Sequence, residues 1–272
     1  MVEAGMSLSH ARRAGVLTIW LGLSVACGGA ATPLPTAPTP SAELPSGGAC
    51  GALAGAGSLA ILNGTECPAG ASSVVLLNMR AADGFSAGAC SGTVIGERAI
   101  LTAAHCIDGD VAVVRLFVGS GLETVAESFT AHPAYRGGTT VDVGVVIMGQ
   151  PIGRPPVPLL LGRDARVGEA AIVTGWGRNQ NDVPSTLRAG LTSLTAVGFL
   201  LETQFGTNVS SVCSGDSGGP ILLSEGGVWS VGGVISATSE NVCNTGTNYY
   251  VAVRNAAVST FILSQVPDAR QR

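Results

Sequence analysis

Cys213-Ser214-Gly215-Asp216-Ser217-Gly218-Gly219-Pro220 is the stretch on which the reading of this 272-residue chain turns. A serine set among glycines in a tight turn presents its hydroxyl and leaves neighbouring backbone N–H groups free to hold an anion. Gly, Ser and Asp are also ordinary turn residues, so the same run taken alone fits a Gly-rich hairpin loop. A serine hydroxyl is a poor nucleophile until a base takes its proton, and the base needs an acid to fix its tautomer. Both partners must be found elsewhere in the chain.

Only three histidines are available. His10 lies in the N-terminal leader. His132, in Ala131-His132-Pro133-Ala134-Tyr135, reads as a solvated or packed histidine of a surface turn. His105, in Leu101-Thr102-Ala103-Ala104-His105-Cys106, follows an apolar strand directly and is the candidate base. The candidate acid is Asp142, a lone carboxylate opening the apolar run Val141–Met148, which reads as a buried strand. A strand-end cap would account for Asp142 on its own, but a buried carboxylate needs a hydrogen-bond partner.

With His105, Asp142 and Ser217 in this order, the chain resembles the trypsin/chymotrypsin family of serine proteases, in a bacterial secreted or lipoprotein form. Four further blocks carry the resemblance: Cys90-Ser91-Gly92-Thr93-Val94-Ile95, Thr174-Gly175-Trp176-Gly177, Trp229–Ser236, and Ile61-Leu62-Asn63-Gly64, which is similar to a mature N-terminus released by cleavage. Together they cover roughly residues 61 to 265. The resemblance implies an all-β fold of two packed six-stranded antiparallel Greek-key barrels with a short C-terminal helix. It also implies disulfides Cys90–Cys106 and Cys213–Cys243. Cys50 and Cys67 remain, flanking the cleavage point; they either bridge and retain the clipped segment, or leave Cys50 free.

Composition agrees with a single all-β catalytic unit. There are 39 glycines, and short Val/Ile/Leu runs are separated by turn signals. Strands are expected over 73–79, 99–102, 111–118, 142–148, 170–174 and 228–236. Asn255 is placed to cap a helix with Val258, Phe261 and Ile262 on one face. A net charge of −4 with 12% charged residues offers no basic patch for nucleic acid.

Residues 1–31 read as an export leader, with Arg12-Arg13 in a basic n-region before an apolar stretch too short to span a bilayer comfortably. Residues 32–60 read as a Pro-rich linker and propeptide, of which 32–48 is extended at about 3 Å per residue where it is polyproline-like. Residues 61–272 are the peptidase domain. The seventh cysteine, Cys27, follows Leu23-Ser24-Val25-Ala26 and resembles a bacterial lipoprotein cleavage site; the alternative is signal-peptidase cleavage near Ala30 or Ala31, which removes it. Export to an extracellular or cell-envelope compartment, as a monomer, follows, with membrane anchoring if Cys27 is lipidated.

The resemblance implies that Ser217 attacks a peptide carbonyl, His105 relays the proton and Asp142 holds the imidazole. Gly215 and Ser217 N–H groups form the oxyanion hole, and Asp216 pairs with the α-ammonium of Ile61 after cleavage, which makes the uncut chain a zymogen. Ser211 lies at the base of the specificity pocket, where an acidic residue would select Lys or Arg. Ser236 and Thr238 line one wall and Asn248 the other, narrowing the slot toward small or medium apolar side chains. Chymotrypsin-like specificity is the runner-up. A catalytically dead homologue acting as a binding module and a non-peptidic esterase are the rival classes. Partners are protein or peptide substrates. No cofactor or metal is expected, Glu123 and Glu127 being read as solvated.

Overall fold

The computed structural model describes residue 50 and residues 65–118, 123–178, 186–206, 209–240, 243 and 245–272. The leader, Cys27, the Pro-rich segment and Ile61 lie outside the described residues. The short apolar runs fold as strands. β1 (Thr65–Glu66) precedes a six-strand set: β2 (Val74–Ala81), β3 (Ser86–Val94), β4 (Ala99–Thr102), β5 (Val111–Phe117), β6 (Glu123–Ala131) and β7 (Gly144–Met148). These six close on themselves in the order β2-β3-β4-β7-β6-β5. Closure removes the exposed strand edges, and alternate side chains fill the inside. Leu77, Ile100, Leu101, Val145 and Met148 are buried there.

The second set is β8 (Ala170–Gly175), β9 (Arg188–Ser193), β10 (Ala196–Val197), β11 (Leu200–Gln204), β12 (Pro220–Glu225), β13 (Val228–Thr238) and β14 (Thr247–Ala252). With β1 it makes an eight-stranded sheet in the order β1-β9-β8-β12-β13-β14-β11-β10. Six long strands curl between two-residue end strands, so the expected six-stranded unit carries an extra short strand at each end. The β12–β13 hairpin turns through Gly226 and Gly227 at φ 57° and 78°, the left-handed pair a two-residue hairpin needs to match strand twist.

The segment linking the two sheets hydrogen-bonds to both. Val157 N–H donates to Val94 O and Val231 N–H to Pro158 O, each at 2.8 Å. After β14 comes α1 (Ala256–Gln265), where the Ala257 N–H donates to the Asn255 side chain at 3.0 Å and Val258, Phe261 and Ile262 are buried. His132 is packed under this helix rather than solvated. Its ring tilts against Phe261 at 4.9 Å, its Nε2 lies 3.3 Å from Ala257 O, and its Nδ1 accepts the Ala134 N–H.

One expectation needs correction. Asp142 does not open a strand, since β7 starts at Gly144. It sits in a tight turn closed by Val143 N–H to Val141 O at 2.7 Å. Val141 takes φ 46°, a backbone region costly for a β-branched residue, and the turn swings Asp142 off the sheet.

Candidate active site

His105 lies in the single 3₁₀ turn Ala104–Cys106 that follows β4, tied down by the Cys90–Cys106 disulfide. Asp142, 1% exposed, accepts the His105 backbone N–H on Oδ1 at 2.9 Å and faces His105 Nδ1 with Oδ2 at 2.7 Å. A third donor reaches the same carboxylate: Ser236 Oγ lies 2.5 Å from Oδ2. Ser236 is expected on a pocket wall; its hydroxyl goes to Asp142. The cause is a bulge in the β13–β14 ladder, whose register shifts between Ile235 and Ala237 and leaves Ser236 as the extra residue.

Ser217 comes from the second sheet and lines the same cleft as His105, a space of about 440 Å³ that also touches Gly215, Asp108, Asp110 and Met79. Ser217 and His105 are not hydrogen-bonded to each other among the described residues. The loop around Ser217 depends on Gly215 and Gly218, at φ 94° and 81°. A Cβ on Gly218 would collide with Thr102 Oγ1 and Ser91 O. Asp216 N–H donates to Cys213 O and Gly218 N–H to Ile235 O. The Gly215 and Ser217 N–H groups have no protein acceptor among the described residues, which leaves two donors beside the serine.

Asp216 points away from the cleft into the protein. Its Oδ1 accepts the Gly177 N–H and its Oδ2 the Cys213 N–H, each at 2.8 Å. Burial pushes its carboxyl up from 3.8 to about 6; those two N–H bonds and then the charge of Arg188 act in the opposite sense.

Ser91 is a residue whose part the motif reading missed. Its Oγ donates to Gly215 O at 2.9 Å and accepts the Trp176 N–H at 2.8 Å, while its own N–H donates to Ser217 O. One hydroxyl of the first barrel thus pins the serine loop of the second. Its place beside Cys90 was the available signal.

Ser211, Thr238 and Asn248 do come together. Asn248 pairs with Thr238 on β13 and with Thr203 on β11. Its side chain is fully buried: Oδ1 accepts from Ser211 Oγ at 3.1 Å and Nδ2 donates to Thr203 Oγ1 at 3.0 Å. Thr203 in turn meets the Tyr250 hydroxyl at 2.9 Å. Burial raises the Tyr250 hydroxyl well above its ordinary pKa, so it stays protonated. Thr203 and Tyr250 lie in no motif; only strand pairing joins them to this cluster. Cys213–Cys243 closes the segment beside it, with Cα atoms 5.2 Å apart, and Cys50–Cys67 is the third disulfide.

Among the described residues the disulfide cysteines Cys90 and Cys106 with His105 form the one grouping of metal-ligand atoms, and thiols already bonded to each other make no metal site. Glu123 pairs with Arg115 and Glu127 with Arg98 on β5, β6 and the β3–β4 connection.

The closed barrel, the second curled sheet and the terminal helix match the solved structure of HL collagenase with a TM-score of 0.63 at 21% identity, over 78% of this chain and 97% of that one. Residues 61–262 match the trypsin family model, and the chain belongs to the trypsin family of serine proteases. It is 29% identical over 194 residues to phenoloxidase-activating factor 3 of Holotrichia diomphalia, spanning 55% of that protein's length and 55% of its own. It is 26% identical to chymotrypsin-like elastase family member 1 of Macaca fascicularis, over 64% of this chain and 77% of the elastase, and 26% identical to chymotrypsin-C of Rattus norvegicus over 65% and 78%.

Proposed function

We propose that the chain is a serine endopeptidase working through His105, Asp142 and Ser217. The observation that carries this reading is the doubly held His105, whose Nδ1 is engaged by a buried carboxylate while Ser217 opens on the same cleft. With Nδ1–H bonded to Asp142, the neutral ring keeps Nε2 unprotonated and able to take the Ser217 proton as Oγ attacks a peptide carbonyl. The imidazolium then hands that proton to the leaving amine, and water repeats the sequence on the acyl-enzyme. The Gly215 and Ser217 N–H groups supply the oxyanion hole, each such donor lowering the barrier by about 3 kcal/mol.

The substrate reading follows from the buried polar cluster. Asn248, fully buried between Ser211 and Thr203, fills depth that a glycine there would leave for a side chain before the scissile bond. Among the described residues Ser211 bonds to Asn248 and to no carboxylate, which disfavours Lys and Arg. Small and medium apolar side chains fit such a shortened slot. Maturation by cleavage before Ile61, after Ala60, would free an α-ammonium for Asp216, while Cys50–Cys67 would retain the clipped segment. Three disulfides agree with an oxidising, extracellular or envelope compartment. Export by the leader, with lipid on Cys27 as the anchor, completes this reading. The enzyme acts as a monomer on protein or peptide substrates, without metal, cofactor or nucleic acid.

Fluorophosphonate labelling tests it. The mature wild type labels at Ser217 and hydrolyses peptides, while Ser217→Ala does neither and retains its melting temperature. A wild type that does not label is a binding module, and one that turns over simple esters but no peptide is an esterase. A peptide library in which Phe or Tyr outruns Ala, Val and Leu would place the specificity with chymotrypsin.

A further inference from the structure

Arg188 is the only buried arginine among the described residues, with 3% of its side chain exposed. It opens β9, opposite Gly175 at the end of β8 and opposite Glu66 of β1. Its Nη1 donates to Gly177 O at 3.3 Å. The N–H of that same Gly177 donates to Asp216 Oδ1. Gly175 and Gly177 both press on the Asp216 carboxylate, so closely that a Cβ on Gly177 would sit 2.6 Å from Asp216 Cγ. The guanidinium and the carboxylate are therefore tied to the two backbone polar groups of one residue, Gly177. On its outer side Arg188 Nη2 lies 3.5 Å from Glu66 Oε1, whose side chain is 67% exposed.

Asp216 carries the hinge of the serine loop. Its own peptide lies between the Gly215 and Ser217 N–H groups, and its carboxylate anchors that peptide to Gly177 and Cys213. Two neutral N–H donors do not replace the hydration an ionised carboxylate loses on burial. A nearby fixed cation stabilises the ionised form and with it the anchored loop. Arginine suits the position because it stays charged when enclosed, and its planar fork reaches the Gly177 carbonyl and the Glu66 carboxylate at once.

We propose that Arg188 is a built-in counter-charge for Asp216 that holds the Cys213–Gly218 loop in its working shape before any cleavage, giving the uncut chain a basal peptidase activity that starts its own maturation. Arg188 acts as a positioning residue, through Gly177 and Asp216. The proposal rests on the peptidase reading and deepens its activation step: the new α-ammonium of Ile61 then strengthens a loop that already forms part of the time.

The test uses the full chain with Gly57–Ala60 replaced by a recognition sequence ending in lysine, so that one preparation is measured before and after a site-specific protease cuts ahead of Ile61. Intact mass verifies each state. Fluorophosphonate labelling rate and peptide turnover are the readouts. The uncut wild type labels at about a hundredth to a tenth of the cut rate. Arg188→Gln lowers the uncut rate at least about tenfold and the cut rate less than about threefold. Arg188→Lys restores most of the uncut rate. Glu66→Gln, which removes one acid that shares Arg188, raises the uncut rate. A general folding defect in Arg188→Gln would depress cut and uncut forms alike, and that result overturns the proposal. So does an inert uncut wild type, or an uncut Arg188→Gln as active as wild type. Failure of the cut wild type to label overturns the peptidase reading itself.

Discussion

Asp142 holds His105 at two points, Oδ1 on the backbone N–H at 2.9 Å and Oδ2 on Nδ1 at 2.7 Å. The first contact fixes where the residue sits and the second fixes which ring nitrogen carries the proton. A 3₁₀ turn alone would leave the ring free to rotate about its side-chain torsions.

Asp142→Asn tests the second contact. An amide in place of the carboxylate offers N–H where Nδ1–H now donates, which forces the wrong tautomer and lowers kcat by about ten thousandfold with the fold intact. Ser236→Ala removes only a supporting hydrogen bond and lowers it by about tenfold. Steady-state kinetics beside thermal melts separate the two; equal losses would show that Ser236 does more than orient the acid.

Asn248→Gly is expected to deepen the pocket. It removes the amide between Ser211 and Thr203, and turnover of Phe and Tyr substrates rises relative to Ala by about ten- to a hundredfold in kcat/KM. An unchanged preference across a P1 library would put the pocket floor elsewhere.

Gly218→Ala probes the serine loop. A Cβ there meets Thr102 Oγ1 and Ser91 O, and φ 81° strains any side chain. The variant loses fluorophosphonate labelling by at least about a hundredfold, the scale of a lost oxyanion donor, while far-UV circular dichroism stays native.

Asp216 gives the fold a pH signature. Its carboxyl rises from 3.8 to about 6 on folding, through burial, so the folded state binds this proton more tightly than the unfolded chain. The sign follows: its contribution favours the fold fully below pH 3.8 and is lost as the pH climbs through about 6, a swing of about 3 kcal/mol. The groups around it are Arg188 from β9, Glu66 of β1 beyond that arginine, and Tyr250 from β14. Cleavage before Ile61 brings an ammonium to the charged form. Urea titrations of the engineered chain carrying Ser217→Ala, uncut and cut, should therefore agree near pH 4, with the cut form gaining stability toward pH 7. A difference independent of pH would refute this.

EDTA is expected to leave activity unchanged. Glu123 and Glu127, the acids between His105 and Asp142 able to suggest a calcium loop, are already paired with Arg115 and Arg98. Loss of activity with EDTA, restored by calcium, would overturn this.

Local signals carried much of the molecule. The glycines about Ser217, the apolar run ending at His105 and the Asn255 cap each act within a few residues, so the sequence alone determined a glycine-bounded serine loop, a histidine behind a strand and a closing helix. The all-β class was implied by the family resemblance, and the short apolar runs between turn residues agreed with it. The remainder depended on contacts between distant segments. Which way Ser236 points is set by a bulge against β14, and a one-residue slip in a strand reverses every side chain. That Asp142 leaves the strand depends on a strained Val141 held by its surroundings. Thr203 and Tyr250 joined the buried cluster through strand pairing, Ser91 met the serine loop through hydrogen bonds between the two sheets, and Arg188 is linked to Asp216 through Gly177, whose missing side chain lets the carboxylate lie against it. Periodicity says which residues are buried. Only the packed structure decides what each buried polar group meets, because its partner lies tens of residues away and a buried group left without one would be too costly to keep.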